Sequence, residues 1–332
     1  MSLRLTIITL SLAALCNLAG LSAVSTARDL IVDNVAGSDA QNDRGQIAGP
    51  ITSGPYRTIN RALLAALPGD RIILTNTGEP YRECVSLMGW KHSGSPARPF
   101  EIVGNGATLD GSVTPAANRW RYQGNDVWEL LRSPAGYGLF AVDGRGLNRQ
   151  AVTDGDLSKL DPLAWTRIGP RMYLKTAENM GPADYALTVT EQTTGLTLYD
   201  VHHVMIRDLV VRGYRLDGIN IHDRCEEVGI IDVSSRQNGR AGITVAGASQ
   251  ATIGATLADQ NGQAQLRVEG RGIVYLGNVD FPAGMGVATL VEDAGRIEKL
   301  AVEGEAGMIG EEELARSGIF RCEAIGARTT GN

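Results

Sequence analysis

Asn238-Gly-Arg-Ala-Gly-Ile-Thr-Val-Ala-Gly247 matches Asn261-Gly-Gln-Ala-Gln-Leu-Arg-Val-Glu-Gly270 with no gap. Each stretch opens on Asn-Gly, alternates apolar and other residues for one short strand, and closes on Gly, so each reads as a strand between two turns. Working outward, the apolar pair Ile243/Val245 recurs as Leu196/Leu198, Ile219/Ile221 and Leu266/Val268, a nearly constant step. A second pair follows each first one: Val204/Ile206, Val228/Ile230, Ala251/Ile253 and Val274/Leu276. A third follows at Leu209/Val211, Val233, Leu257 and Val279/Phe281, and a weaker fifth copy runs from Val287/Thr289 through Ile297 to Leu300/Val302. Three short strands in a coil of about 23 residues is what a parallel β-helix requires. One coil cannot bury its own interior, so coils must stack. A leucine-rich horseshoe would carry a helical segment per repeat, and a propeller would need much longer repeats than these.

Composition agrees with an all-β chain. Of 332 residues, 41 are Gly, above the usual share of roughly 7 per cent, and aromatic residues are few. This excludes disorder, collagen and a coiled coil. The net charge of −6, with no basic stripe, argues against a nucleic-acid partner. Lysine occurs only at 91, 159, 175 and 299, so the positive charge is nearly all arginine, the side chain suited to bidentate contact with carboxylates. Residues 1–27 read as a secretory signal peptide: Arg4, an apolar run from Leu5 to Val24, then Ser25-Thr26-Ala27. A secreted protein, periplasmic or extracellular, is expected, with no segment spanning a membrane. The remaining cysteines, Cys84, Cys225 and Cys322, match neither a disulfide framework nor a zinc site and are expected to be buried thiols.

Along the chain, residues 28–112 read as an N-terminal cap with the first coils. Ile59, Leu63, Leu64 and Leu67 have helical spacing after Thr58, a candidate N-cap, and predict a helix over 56–67 that covers the end of the core. Asp39, Asn42 and Asp43 could offer oxygens to Ca²⁺ but lack the spacing of an EF-hand loop, so a solvated turn is the better reading. Between 113 and 186 the pattern changes and three of the four tryptophans appear (Trp120, Trp128, Trp165), which predicts an inserted β-rich region. Coils resume over 187–302, and 303–332 reads as a C-terminal cap or tail with a short helix near Glu311 to Arg316.

Gly54-Pro-Tyr-Arg-Thr-Ile followed by Pro-Gly-Asp-Arg-Ile-Ile-Leu, then Tyr81-Arg-Glu-Cys-Val and Gly104-Asn-Gly-Ala-Thr-Leu-Asp-Gly111, resembles the N-terminal module of secreted right-handed β-helix proteins of the pectin-lyase-like superfamily. With the repeats, the resemblance covers most of residues 29 to 302. It implies a right-handed coil and a polysaccharide or oligosaccharide as partner.

If the apolar pairs face inward, Thr197, Asn220, Thr244 and Arg267 form one outward ladder, and Tyr199, His222, Ala246 and Glu269 the next. Thr244 and Ala246 leave a depression between His222 and the Arg267/Glu269 pair. Such a trough would suit a few sugar rings, with Tyr199 stacking, Arg267 holding an acidic or hydroxyl group, and His222 or Glu269 moving a proton. The bland reading is a solvated sheet face with a surface ion pair. Arg215, Asp217 and Arg224 border the same coil. Leu216-Asp-Gly-Ile-Asn-Ile221 looks like part of the Asn-Thr-Asp-Gly-Ile element of β-helix polygalacturonases, which would make Asp217 catalytic, but the paired aspartates and the Gly-His-Gly of that family have no counterpart here. Uronate lyases of this fold use a Lys or Arg base, commonly with Ca²⁺, which would leave Arg267, or else Arg215, as the base. The expected catalytic residues are therefore Arg267, His222, Asp217 and Glu269, and the substrate-binding ones Tyr199, Asn220, Arg215 and Arg224.

Two functions stay open. One is a polysaccharide-cleaving enzyme, either a lyase on a uronic polymer or a glycoside hydrolase. The other is a non-catalytic β-helix that binds glycans or serves as a surface scaffold. The inserted region, as a wall for a cleft, favours the enzyme.

Overall fold

The computed structural model describes residues 27–40 and 54–299. The expected signal peptide up to Thr26, Asn42 and Asp43, Leu300/Val302, the helix near Glu311 and Cys322 lie outside the described residues. The chain is all-β, built mainly on two long parallel sheets. The short-strand sheet runs in the order Val287–Val291, Ala264–Val268, Ala241–Val245, Ile219–His222, Leu196–Tyr199 and Val85–Met88. The other sheet has eight strands, in chain order Asp29–Val32, Arg71–Leu74, Phe100–Asp110, His202–Arg212, Glu226–Arg236, Gln250–Asp259, Ile273–Asp280 and Arg296–Lys299. From Leu196 onward the chain passes alternately through the two sheets and advances one strand each time, so each pass is a rung.

Registers follow the sequence repeat. Leu196 pairs with Ile219, Ile219 with Ile243, and Ile243 with Leu266, so like stacks on like inside. These residues join Val204, Ile206, Val228, Ile230, Ile253 and Val274 in one core. The expected second and third strands of each coil are a single long strand with a bend. Asn105, Asp208, Asp232, Ala255 and Asn278 all take left-handed φ near 50° at that bend, five stacked residues at which the strand turns and continues pairing. There are thus two paired strands per rung where the repeat had suggested three.

The helix is Ile59–Ala65, shorter than expected, with Thr58 Oγ1 accepting from the Arg61 N–H. Glu83 accepts from the free N–H groups of Ile59 and Asn60. Ile59, Ala62 and Leu63 face the core, while Leu64 and Leu67 are exposed. Ala62, with Ala66 just past the helix end, lets this segment lie close against the strands.

The inserted region interrupts one corner. Later rungs cross that corner in a few residues, Arg212 to Ile219 for example, whereas the first needs the whole stretch from Asp110 to Leu196. It contains two four-stranded antiparallel arrangements with their own core of Leu130, Phe140, Trp165, Met172 and Leu174. It docks along the corners of successive rungs: Arg215 Nη1 donates to the Ala135 carbonyl at 2.9 Å, Gln260 Oε1 accepts from the Gly146 N–H at 2.9 Å, and Gln237 donates to the Gly144 carbonyl.

Candidate functional site

The short-strand sheet presents the two ladders expected of it, since Thr197 pairs with Asn220, Tyr199 with His222, Asn220 with Thr244 and Thr244 with Arg267. Tyr199 and His222 meet edge to face with ring centroids 4.9 Å apart. The row extends one strand further than expected: Met88 pairs with Tyr199, and Met88 and Trp90 are 56% and 77% exposed. Sequence reading missed both because the inserted region lengthens the step from Val85 to Leu196 beyond any repeat. The signal was the Val85/Leu87 alternation, which makes Met88 the outward residue of a first rung.

The middle rung is low, with Thr244 fully buried and Ala246 nearly so. Down the inner ladder, Asn220 Oδ1, Thr244 Oγ1 and Arg267 Nε are buried without a hydrogen-bond partner. Unsatisfied polar atoms on three consecutive strands are unusual enough to require a reason.

At the far end, one Nη of Arg267 lies 2.6 Å from a carboxylate oxygen of Glu269 and 2.6 Å from one of Glu292. Glu292 was not among the expected residues, although it stands one repeat step after Glu269. Arg267 thus lies between two carboxylates and ties its own rung to the next.

Asp217 is completely buried and paired with Arg240, whose Nε is 2.8 Å away. That hydrogen bond raises the Arg240 pKa and outweighs its burial. Asp217 thus stands beneath the face, in a pair that crosses from one rung to the next, with both oxygens accepting from Arg240. Arg215 is engaged with the inserted region through Ala135, and Arg224 forms an exposed pair with Asp200 at 3.3 Å. His202 and His203 begin a strand and face Glu226 and Glu227 of the next rung at 3.9 and 3.0 Å. Of the expected site, Tyr199, Asn220, His222, Arg267 and Glu269 share the face.

Among the described residues no three His, Cys, Asp or Glu side chains gather in a way that could hold a metal. Asp39, the described member of the acidic turn, accepts from the Arg57 and Thr58 N–H groups and the Thr58 hydroxyl. The Asp39 carboxylate is thus occupied by donors at the start of the helix. Cys84 is exposed, contrary to expectation, while Cys225 is buried and its thiol is pushed up by that burial. No helix among the described residues is long and apolar enough to cross a membrane.

Among the described residues, clefts separate the inserted region from the rungs or open on it. One of about 240 Å³ is lined by Asp110, Asp143, Arg212 and Gln237. Two others, of about 510 and 470 Å³, both include Arg149 and Arg167 in their walls.

No family model matches the sequence, and a search of curated proteins finds no match. Among solved structures, the chain is similar to one titled "Glycoside hydrolase", at 12% identity over 82% of this chain and 77% of that one, with a TM-score of 0.56. The likeness is one of fold. A complex of XylC with xylose also aligns, at 12% identity over 82% and 70% of the two chains, but with a TM-score of 0.40, too loose to support inference.

Proposed function

We propose that this is a secreted carbohydrate-active protein with a right-handed parallel β-helix of the pectin-lyase-like kind, and that it takes an extended saccharide along the short-strand face. The observation that carries this reading is the row of exposed Met88 and Tyr199 and half-buried His222, with exposed Trp90 in the turn just past Met88, leading to a low middle rung and then to Arg267. Aromatic faces cover the C–H faces of sugar rings. The fold shared with a protein titled as a glycoside hydrolase supports the same reading. The test is calorimetric titration with neutral and acidic oligosaccharides. Trp90→Ala, at a side chain too exposed to affect folding, is expected to weaken binding at least fivefold. Equal binding by the variant, or no binding of any oligosaccharide, would overturn the proposal.

Hydrolysis is the second reading, and a specific geometry favours it over elimination. The two contacts to one Arg267 nitrogen, each of 2.6 Å, hold one oxygen of Glu269 close to one of Glu292. Retaining glycosidases hold their two carboxyl groups roughly 5 to 5.5 Å apart, a separation that two such contacts to a shared nitrogen can bridge. In this reading a substrate group draws Arg267 from one carboxylate, which takes a proton from solvent and gives it to the leaving oxygen while the other attacks the anomeric carbon. The first then removes a proton from the water that cleaves the glycosyl-enzyme intermediate. Release of reducing ends that disappears in Glu292→Gln supports hydrolysis. Binding without product from any glycan leaves the binding function alone.

A further inference from the structure

We propose that the inserted region carries an oxyanion-binding site of its own, formed by Arg149 and Arg167, for a carboxylate or sulfate ester borne by the saccharide. That the anion sits on a saccharide rests on the proposed function; the anion site itself rests on geometry alone.

The two guanidinium groups belong to the walls of both larger clefts, of about 510 and 470 Å³, and no aspartate or glutamate lines either one. Arg149 lies over the Trp165 ring, 5.6 Å from its centroid. This contact fixes the guanidinium without neutralising it. Trp165 is itself buried, with its indole N–H donated to the Leu147 carbonyl, so the platform is rigid. Arg167 donates to the carbonyls of Pro134 at 2.8 Å and Pro170 at 3.3 Å, which are neutral acceptors. Among the described residues neither arginine forms an ion pair. The nearby carboxylate of Asp156 is taken up by Ser158 and Lys159.

Their charges oppose each other. The Arg167 guanidinium is held below its usual value first by burial and then by Arg149. A chain of net charge −6 has carboxylates to spare, yet it leaves these two cations on the walls of open clefts. Elsewhere it pairs its arginines across rungs, as in Arg240 with Asp217 and Arg212 with Asp110. An incoming oxyanion would relieve the repulsion and receive planar, bidentate donors. Tyr137, Asn148 and Gln263 line the same larger cleft and offer a ring and two amides to the rest of a sugar.

The probes are tri-galacturonate, a sulfated galactan trisaccharide and the neutral galactan trisaccharide, titrated into the full chain at low and moderate salt. At least one anionic probe is expected to bind tenfold or more tightly than the neutral one, with an advantage that shrinks as salt rises. Preference for the first or the second identifies carboxylate or sulfate as the group. Arg149→Gln, at an exposed side chain, is expected to remove at least fivefold of that advantage while neutral binding and the melting temperature stay unchanged. Arg167→Lys keeps the charge and loses the fork, and a partial loss is expected. Equal affinity for anionic and neutral probes, or full anionic preference in a folded Arg149→Gln protein, would overturn the site. If neutral binding is still weakened by Trp90→Ala in that case, the carbohydrate reading stands without it. If no trisaccharide binds but inorganic sulfate protects Arg149 and Arg167 from a dicarbonyl reagent, the anion site stands and the carbohydrate reading falls.

Discussion

Asn238 and Asn261 show how the repeat is enforced at single residues. Both are fully buried. Asn238 Oδ1 accepts from the Tyr214 N–H at 3.0 Å, and its amide donates to Asn261 Oδ1 at 3.0 Å. Asn261 in turn donates to Gln265 Oε1 at 2.8 Å. Each link satisfies a backbone or side-chain group that the next rung would otherwise strand. Asn238→Ala therefore leaves several buried groups without partners and is expected to destabilise the protein by about 3 kcal/mol in chemical denaturation. A loss below about 1 kcal/mol would mean that water replaces the ladder. These amides also explain why Gly218 and Gly242 stand beside them. A Cβ on Gly218 would stand 2.7 Å from the Asn238 amide nitrogen, and one on Gly242 would stand 2.7 Å from that of Asn261. The requirement there is close approach, whereas Gly247 and Gly270 do adopt left-handed φ of 68° and 67°.

The turn that follows the first short strand has a titrating element. His92 is buried, with Nδ1 accepting from the Met88 N–H at 2.9 Å and Nε2 against the Leu63 carbonyl at 3.1 Å, which defines a neutral ring protonated at Nε2. A second proton would meet the Met88 N–H head-on. Burial lowers the pKa of His92 from 6.5, and the charge of Lys91 adds to the effect against the pull of the Leu63 carbonyl. The unfolded chain then takes up a proton near pH 6.5 that the folded chain refuses. The stability contributed by neutral His92 is present above about 6.5 and is lost as pH falls from there toward the depressed folded value. His92→Gln keeps one acceptor and one donor without titrating. Its stability deficit relative to the parent is expected to narrow between pH 7 and 5 in thermal melts, and a deficit constant over that interval would exclude His92 as the source.

At the scale of the molecule, the inserted region is held against the rungs through positions that tolerate no side chain. A Cβ on Gly239 would fall 1.8 Å from the Tyr137 carbonyl oxygen and 2.2 Å from that of Arg215. Gly239→Ala is expected to displace the inserted region while the stacked rungs persist. Limited proteolysis should then cut faster within 113–186, and unchanged protection there would refute this docking. The stacking of rungs was legible in the sequence because burial recurs at the interval of the repeat. An inward Ile243 needs Ile219 before it and Leu266 after it, and that requirement is written locally in the chain. The bend within each long strand was only faintly written: Asn105, Asp208, Asp232 and Asn278 are the non-glycine types that enter the left-handed region most readily, but Ala255 breaks the pattern and such residues also mark ordinary turns. The site was legible in part: Tyr199, His222 and Arg267 follow from alternation, and the same step points to Glu292. What the sequence by itself determined is the periodic core and the face that looks outward. Only the tertiary structure decided which outward charges remain free, because Asp217 and Arg267 are consumed by partners on neighbouring rungs. The Arg149 and Arg167 pair is left open by a region that meets the rungs through contacts far apart in the chain, and no repeat encodes them.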